Sequence, residues 1–349
     1  MLRIVPPRHI GPYEILSVLG RGGIGTVYRG RHHVDGRAAA VKVLGPSPAV
    51  DATAARRLAR EFEVLRTLDH PNVVKVYDAG VAEGYSYLAM ELVLGLDLRA
   101  YLSAEIDAGA RAAEDSPLEL GSDEGGWEPS SGAAAIRALA SMMDEPETEP
   151  ERWPGAGRSG ADDGSTDPIP PPGPEALVAL NRPERVARLR GALSQVAEAL
   201  AYVHGRGLVH RDLKPSNVMV DDLRRARLMD FGLVKAAAEA DEALTATGRI
   251  VGTYRYMSPE QAQARPVGPA SDLYSLGVIL YEFLGGVPPC PARDPVTLWR
   301  EILTGHPAPL REINPGVDRG LAELAEALLA KDPAARPADA HRVALAIKG

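Results

Sequence analysis

An aspartate, a lysine and an asparagine crowd into one short run, Leu208-Val209-His210-Arg211-Asp212-Leu213-Lys214-Pro215-Ser216-Asn217-Val218-Met219-Val220. Asp212 and Asn217 stand five apart with Lys214 between them, and Asp230-Phe231-Gly232 begins thirteen residues after Asn217. Phosphoryl transfer needs groups of this kind. Carboxylate and amide oxygens hold a hard cation such as Mg²⁺, an ammonium group meets the moving phosphate, and an aspartate lies near the attacking hydroxyl. Any one of them would fit an ordinary turn. Their joint order and spacing are not what a chance turn supplies.

Two further features belong to the same chemistry. Gly20, Gly22 and Gly25 fall in LGRGGIGTVYRG, where a glycine backbone can approach phosphate oxygens closely and aim N–H groups at them. A plain turn has the same composition. A dinucleotide-binding turn would lead straight into a helix, whereas Thr26-Val27-Tyr28 is strand-forming, so the run reads as a glycine-rich β-hairpin. Lys42 lies in the buried-looking strand Ala39-Ala40-Val41-Lys42-Val43-Leu44. It either snorkels at an edge or is held against a negative charge in a cleft. Glu61 is the candidate partner, on the apolar face that Leu58, Phe62 and Leu65 define in the next helical pattern. A carboxylate there is costly unless paired; two solvated charges are the alternative.

The elements that must position these groups are legible as patterns. Tyr13 to Leu19, Thr26 to Arg31, Ala38 to Leu44, Val73 to Tyr77 and Tyr85 to Met90 are short β-rich runs, separated by Gly, Asp or Pro signals. One helical pattern, Ala54 to Leu68, falls between the third and fourth. Further on, Val186, Leu189, Leu193, Val196, Leu200 and Val203 recur at spacings of three and four, which is a long amphipathic helix. From Ala270 onward the signals are almost all helical, with Leu273, Leu276, Ile279, Leu280 and Phe283 the strongest set. A strand-rich part followed by a helix-rich part predicts a two-lobed α+β arrangement, joined near residue 93.

Composition divides the chain differently. The 349 residues carry 39 basic and 47 acidic groups, a formal charge of −8, which argues mildly against a nucleic-acid partner. The figure is an average. Residues 103–182 hold 17 acidic groups against five arginines, a net of −12, and the other 269 residues net +4. The same window has ten Pro, ten Gly and only nine Leu, Ile, Val or Phe. That is too little apolar surface to offset roughly 1–2 kcal/mol of backbone ordering per residue. We expect an acidic, mostly disordered insertion, stiff and extended at Ile169 to Pro174, with one helix-forming exception at Ala133 to Met143. A single Cys290 excludes a disulfide framework or a Cys-rich zinc site. The start, MLRIVPPRHIGPYEI, lacks the apolar core of a signal peptide. The longest apolar stretch, Leu273 to Leu284, is broken by Glu282 and too short to cross a bilayer.

Taken together, GRGGIGTV, AAVK, HRDLKPSN, DFG and SPE occur in order, and the chain resembles the eukaryotic-like (Hanks-type) serine/threonine protein kinases of bacteria over about residues 11–347, the insertion apart. The resemblance implies a bilobal kinase-like fold, with a small β-rich N-lobe over 11–92 containing one main helix. A hinge and the start of the C-lobe fall at 93–102, and the larger helical C-lobe at 183–347. It implies ATP with Mg²⁺, or Mn²⁺ in its place, and protein substrates, with transient self-association for autophosphorylation in trans. Lys42 would hold the α/β-phosphates and Glu61 would position it. Asp212 would be the catalytic base, Lys214 would contact the γ-phosphate, and Asn217 and Asp230 would bind the metal. Met90 resembles the gatekeeper, and Glu91 to Val93 the hinge that hydrogen-bonds adenine, with Val27, Ala40 and Met219 sandwiching the ring. Thr253 would bind Asp212 and Lys214, Glu260 would pair with Arg336, and Asp272 would brace the catalytic loop. SPE in place of APE and AAVK in place of VAIK remove no functional group.

Control is expected in the activation segment, Asp230 to Glu260. Arg211, beside Asp212, is a ready receptor for a phosphate on Thr245 or Thr247 in EALTATGRIVGT. A nucleotide-binding scaffold without catalysis would lack one of Lys42, Asp212, Asn217 or Asp230, and all are present. A small-molecule phosphotransferase of related fold would lack the SPE run, Thr253 and Arg336. The acidic insertion opens near the mouth of the cleft, after Asp97 to Leu102, and is either a tolerated linker or a tether that acts on substrates or on the +4 body. The last helix is expected at Ala338 to Ile347, and either a stand-alone cytoplasmic kinase or a truncated product fits that end.

Overall fold

Alternation in Ala38–Leu44 sends Ala39 and Val41 to one face of a strand and Ala40 and Lys42 to the other, and the first lobe is built on that division. In the computed structural model, which describes residues 8–22, 25–44, 62, 64–82, 85–103, 167–231 and 254–349, six antiparallel strands form one sheet. They are β1 (His9–Ile10), β2 (Tyr13–Gly22), β3 (Gly25–His32), β4 (Ala38–Leu44), β5 (Val76–Ala82) and β6 (Tyr85–Glu91), in the order β1-β2-β3-β4-β6-β5. Ile10, Tyr13, Tyr28, Tyr87 and Ala89 pack around Ala39 and Val41 on one face. On the other, Ala40 meets Val74 and Met90. This second face looks into the cleft.

Four of the strands fall where alternation puts them, and the fifth is displaced from Val73–Tyr77 to Val76–Ala82. Val73 and Val74 are used elsewhere. The Val74 N–H donates to the Leu228 carbonyl at 2.9 Å and the Leu228 N–H to that of Asn72 at 2.8 Å, in a parallel bridge that stitches the lobes together. The strand instead continues through Asp78-Ala79-Gly80, poor β-formers, because the ladder with β6 supplies their hydrogen bonds.

The second lobe begins with β7 (Gly95–Asp97) and α1 (Leu98–Ser103), whose first turn is capped by the Asp97 carboxylate accepting from the Ala100 N–H at 2.7 Å. β7 joins β8 (Val218–Asp221) and β9 (Ala226–Leu228) in a three-stranded sheet. A side chain at Gly95 would place its Cβ 2.2 Å from the Val220 carbonyl oxygen, so only glycine admits this close approach. The helices are α2 (Pro174–Leu180), α3 (Pro183–His204), α4 (Pro259–Ala262), α5 (Pro269–Gly285), α6 (Pro295–Thr304), α7 (Leu310–Ile313), α8 (Arg319–Leu328) and α9 (Ala340–Lys348). Proline stands in the first turn of α2 to α6, where its missing N–H costs nothing. Every residue from Ser271 to Gly285 of α5 is buried, the carboxylates of Asp272 and Glu282 included, which places this helix in the core of the lobe. Leu189, Leu193, Val196 and Leu200 of α3 pack in that same core, and Phe62, Leu65, Leu68, Val73 and Val76 extend it into the first lobe. The two-lobed α+β architecture expected from the sequence is therefore present.

One boundary needs correction. The stretch expected as insertion, 103–182, is part of the second lobe at its C-terminal end. The Ile169 N–H donates to the Pro291 carbonyl at 2.9 Å. Ala176 and Leu180 of α2 are buried, and Asn181 and Asn314 exchange amide hydrogen bonds of 2.7 and 2.9 Å. A seven-residue helix flanked by IPPPGP is diluted in any window wide enough to measure composition, so its apolar ALVAL run was lost in the average. Residues 104–166, with the helical pattern at 133–143, lie outside the described residues, as does most of the 54–68 pattern. Among the described residues no helix is long and apolar enough to cross a membrane. Cys290 is buried, and burial pushes its thiol up to about 11, so it stays protonated and inert.

Candidate active site

The loop carrying Asp212 is held from beneath by one buried carboxylate. Asp272 of α5 is only 1% exposed, and it accepts from the N–H groups of His210 and Arg211, both at 2.8 Å. His204, at the end of α3, lies 2.8 Å from the same carboxylate. These contacts hold Arg211 in the left-handed region, φ 66°, a conformation that costs a non-glycine residue about 1–3 kcal/mol. The backbone turn so produced presents Asp212.

His210 ties this loop to the segment bearing Asp230. Its Nε2 lies 2.9 Å from the Met229 carbonyl, which can only accept, so Nε2 carries the proton. Nδ1 then accepts from the Asp212 N–H at 3.3 Å, and the ring packs on Phe231 with centroids 4.8 Å apart. The Met229 N–H donates to the Asn217 carbonyl at 3.0 Å. Residues 210, 212, 217 and 229 are thus one hydrogen-bonded unit, and Asp230 follows directly from it.

Within it, the Asn217 Nδ2 donates to the Asp212 carbonyl at 2.7 Å and to its carboxylate at 3.2 Å. Lys214 Nζ stands 3.7 Å from the same carboxylate. With Nδ2 committed, Asn217 presents Oδ1 as its remaining acceptor. Asp230, also left-handed at φ 56°, accepts from Lys42 Nζ at 2.9 Å across the cleft. Among the described residues no group of three or more His, Cys, Asp or Glu could hold a metal by itself. An amide oxygen and a carboxylate fit Mg²⁺, which commonly takes one or two protein oxygens and completes its octahedron with water and phosphate. Among the described residues the partner of Lys42 is Asp230, and the expected partner Glu61 lies outside them.

The glycine-rich hairpin is formed as expected: β2 ends at Gly22, β3 starts at Gly25, and the two glycines are paired, with Gly20 opposite Val27. Below it, Val27, Ala40, Met90 and Val93 cluster with Leu19, Leu92 and Met229. Leu92 falls within the expected hinge, whereas Leu19 and Met229 were not expected in this slot, although Met229 directly precedes Asp230. Met219, expected in this apolar slot, is buried in the middle strand β8 and outside the cluster. The hinge is braced from behind. The Glu91 N–H donates to the Lys75 carbonyl at 2.8 Å, and the Glu91 carboxylate receives Arg227 at 3.1 Å.

Residues 254–262 form the floor beside Asp212. Tyr254 meets Trp299 edge-on at 5.9 Å, Arg255 donates to the carbonyls of Cys290 and Ala292, and Ser275 Oγ donates to the Tyr256 carbonyl at 2.7 Å. Ser258 and Gln261 make a capping box at the start of α4, and Gln261 Nε2 reaches the Arg211 carbonyl at 2.8 Å. Glu260 receives both guanidinium nitrogens of Arg336 at 2.7 and 2.8 Å, with Ser271 Oγ at 2.7 Å. Burial alone would push the Glu260 carboxyl up, but the hydrogen bonds from Arg336 and Ser271 outweigh it and hold the group below its ordinary value. Gly232, Thr245, Thr247 and Thr253 lie outside the described residues.

Comparison with known proteins agrees with this geometry. The family described as protein tyrosine and serine/threonine kinase matches residues 13–342. The serine/threonine-protein kinase pkn3 of Myxococcus xanthus is 31% identical, over 94% of this chain and 48% of its own length. PknH of Mycobacterium tuberculosis is 30% identical, over 96% of this chain and 41% of its own. This chain thus spans less than half of either relative. Among solved structures, the PknI kinase domain of Mycobacterium tuberculosis superposes with a TM-score of 0.59 at 23% identity, covering 97% of this chain and 96% of that one. A double-mutant form of that domain gives 0.62, also at 23% identity, over 99% and 98%. These superpositions establish the bilobal kinase fold, and the sequence match goes further: the chain belongs to the protein tyrosine and serine/threonine kinase family.

Proposed function

We propose that this chain is an ATP-dependent protein kinase that transfers the γ-phosphate to serine and threonine hydroxyls of proteins, its own activation segment included, in signal transduction. One observation carries the reading: Asp212, Lys214, Asn217, Asp230 and Lys42 are drawn into one hydrogen-bonded cleft lined on its other side by the glycine-rich hairpin. ATP would seat its base in the apolar cluster of Val27, Ala40, Met90 and Val93, against the backbone of Glu91 to Val93. Gly20, Gly22 and Gly25 would cover its phosphates, with Lys42 on the α/β pair. Asn217 and Asp230 would hold Mg²⁺ or Mn²⁺, which supplies charge neutralisation at the phosphates. Asp230 would exchange the Lys42 ammonium for that ion, freeing the lysine for phosphate.

The acceptor oxygen then forms a bond to the γ-phosphorus as the bond from that phosphorus to the β–γ bridging oxygen breaks, and ADP leaves. Asp212 takes the hydroxyl proton, and Lys214 balances charge on the transferring group. The lysine two after the aspartate, in HRDLKPSN, favours serine and threonine over tyrosine as acceptors. Thr253 would steady Asp212 and Lys214, and a phosphate on Thr245 or Thr247 would pair with Arg211 and order the segment. Incubation with labelled ATP and Mg²⁺ tests the reading. Wild type incorporates phosphate, mapped by mass spectrometry to Thr245 or Thr247, and Asp212→Asn loses about 10²–10⁴ in rate. An unaffected variant refutes the role of Asp212, and phosphate found only elsewhere refutes the regulatory sites.

A further inference from the structure

Helix α6 has two faces, and the outer one is not what water usually meets. Leu298 and Ile302 turn inward and pack with Cys290, Ala292 and Ala262. Val296, Trp299, Arg300 and Leu303 stand at the i, i+3, i+4 and i+7 positions of the opposite face. Val296 is 81% exposed and Trp299 38%, and Leu303 is partly buried. Arg300 is exposed too, as is Arg293 just before the helix. Among the described residues neither guanidinium has a hydrogen bond or an ion pair. The nearby acids are committed to backbone: Asp294 Oδ1 accepts from the Thr297 N–H at 2.8 Å and Glu301 Oε2 from the Ala292 N–H at 3.1 Å. The outer face is therefore an apolar stripe about 10 Å long with cations beside it.

The place where the acidic segment rejoins the body points to an occupant. The Ile169 N–H donates to the Pro291 carbonyl at 2.9 Å, two residues before Arg293. Earlier in the sequence, outside the described residues, Ile136, Leu139 and Met143 recur at spacings of three and four. Ile136 to Met143 is the same seven-residue step as Val296 to Leu303. The next eight residues, Asp144 to Glu151, hold five carboxylates and no cation. Fifteen residues, four of them glycine, then lead from Glu151 to Asp167. A flexible chain of that length spans about 20 Å on average, which sets an effective concentration on the order of millimolar.

We propose that the outer stripe of α6 is the docking surface for this chain's own residues 133–151, with Ile136, Leu139 and Met143 laid antiparallel on Leu303, Trp299 and Val296 and the carboxylates of 144–151 against Arg293. The antiparallel sense brings the acidic run to the Arg293 end of α6, beside Pro291, where the tether returns. The parallel sense would carry it away from both. Arg300, at the edge of the stripe, adds a second cation within reach. Trp299 meets Tyr254 edge-on at 5.9 Å, so the stripe borders the acceptor floor. On the protein-kinase reading, on which only this last step rests, the docked segment and a protein acceptor compete for that border.

Hydrogen exchange on the full-length protein, read separately for residues 133–143 and for α5, tests the docking. Amides of 133–143 are expected to exchange at least about tenfold slower than in the same peptide alone. Val296→Glu, at an exposed position, is expected to restore the free-peptide rate while α5 exchanges as in wild type. Arg293→Glu is expected to do so in part, and most at low salt. Wild-type exchange at the free-peptide rate overturns the proposal, and so does protection that Val296→Glu leaves intact. Protection that fades on dilution assigns the stripe to a second copy and overturns it as well. The competition is read with dephosphorylated casein, an acidic acceptor that a released acidic segment does not attract. Ile136→Gln, which keeps the net charge, is expected to lower the casein KM about threefold with the ATP KM unchanged. An unchanged casein KM overturns the competition. A wild-type protein that transfers no phosphate overturns the kinase reading instead and leaves the exchange result standing.

Discussion

Glu260 and Arg336 stand 76 residues apart and meet as a two-pronged pair whose side chains are 6% and 0% exposed. A buried pair of this kind adds less than its geometry suggests, because both ions lose their hydration, but removing one partner strands the other and typically costs about 3–5 kcal/mol. Arg336 would be left with the carbonyls of Ala270, Ala330 and Lys331 and the face of Tyr274. We therefore expect Glu260→Gln to be among the most destabilising single substitutions in the second lobe. The pH dependence has a definite sign. A carboxyl held below its ordinary value of 4.5 contributes stability that is complete above that pH and lost as pH falls through the folded value. The gap in unfolding free energy between wild type and Glu260→Gln should accordingly narrow below about pH 4.5. A gap that stays constant down to acid unfolding would show that the carboxylate's charge is not what the pair uses.

Among the elements, α2 changes how the acidic segment should be cut. Its Ala176 and Leu180 are buried, and the preceding Ile169 is hydrogen-bonded to Pro291. Removing residues 105–180 would strip this packing, with each lost aliphatic side chain worth about 2–5 kcal/mol. Removing 105–165 leaves it in place. We expect the shorter deletion to keep the wild-type unfolding midpoint and the longer one to lower it by several degrees. Equal midpoints would mean that α2 packs without contributing. With the shorter deletion, acceptor KM at low and high salt then reports on the acidic tether itself, since a surface-charge effect fades as the Debye length shrinks. Some elements could be read in advance and others could not, for a physical reason. The spacing from Val186 to Val203 and the unbroken apolar run after Leu273 are local periodicities, and α3 and α5 followed them. Val73 and Val74 satisfied the same local rule and failed, because Leu228, more than 150 residues later, takes their hydrogen bonds. The loop residues Asp212, Lys214 and Asn217 were legible as a motif. The Lys42–Asp230 pair spans 188 residues, and the Arg99–Glu282 pair spans 183, so neither leaves a trace in local sequence.

At the scale of the whole molecule, the net charge of −8 describes no part of it, being the sum of an acidic window and a mildly basic body. Among the described residues the lobes are joined by the chain itself between Glu91 and Gly95, by the parallel bridge of Val73 with Leu228 and the Asn72 amide beside it on Gln195 and Ala226, and across the cleft by the Lys42–Asp230 pair. A body fastened to another at two points keeps one free rotation, about the line through them. Once Lys42 and Asp230 part, opening and closing of the cleft are expected to be a swing about an axis from the lobe junction to that bridge. Spin labels on β3 and α4 should change separation when nucleotide binds, while labels flanking Val73 and Leu228 should not. Equal changes at both pairs would mean the axis lies elsewhere. On this geometry the glycine-rich hairpin, far from the axis, would travel furthest, and Met90, close to it, would scarcely move: the molecule would work as a lever whose pivot is built from two valines and a leucine.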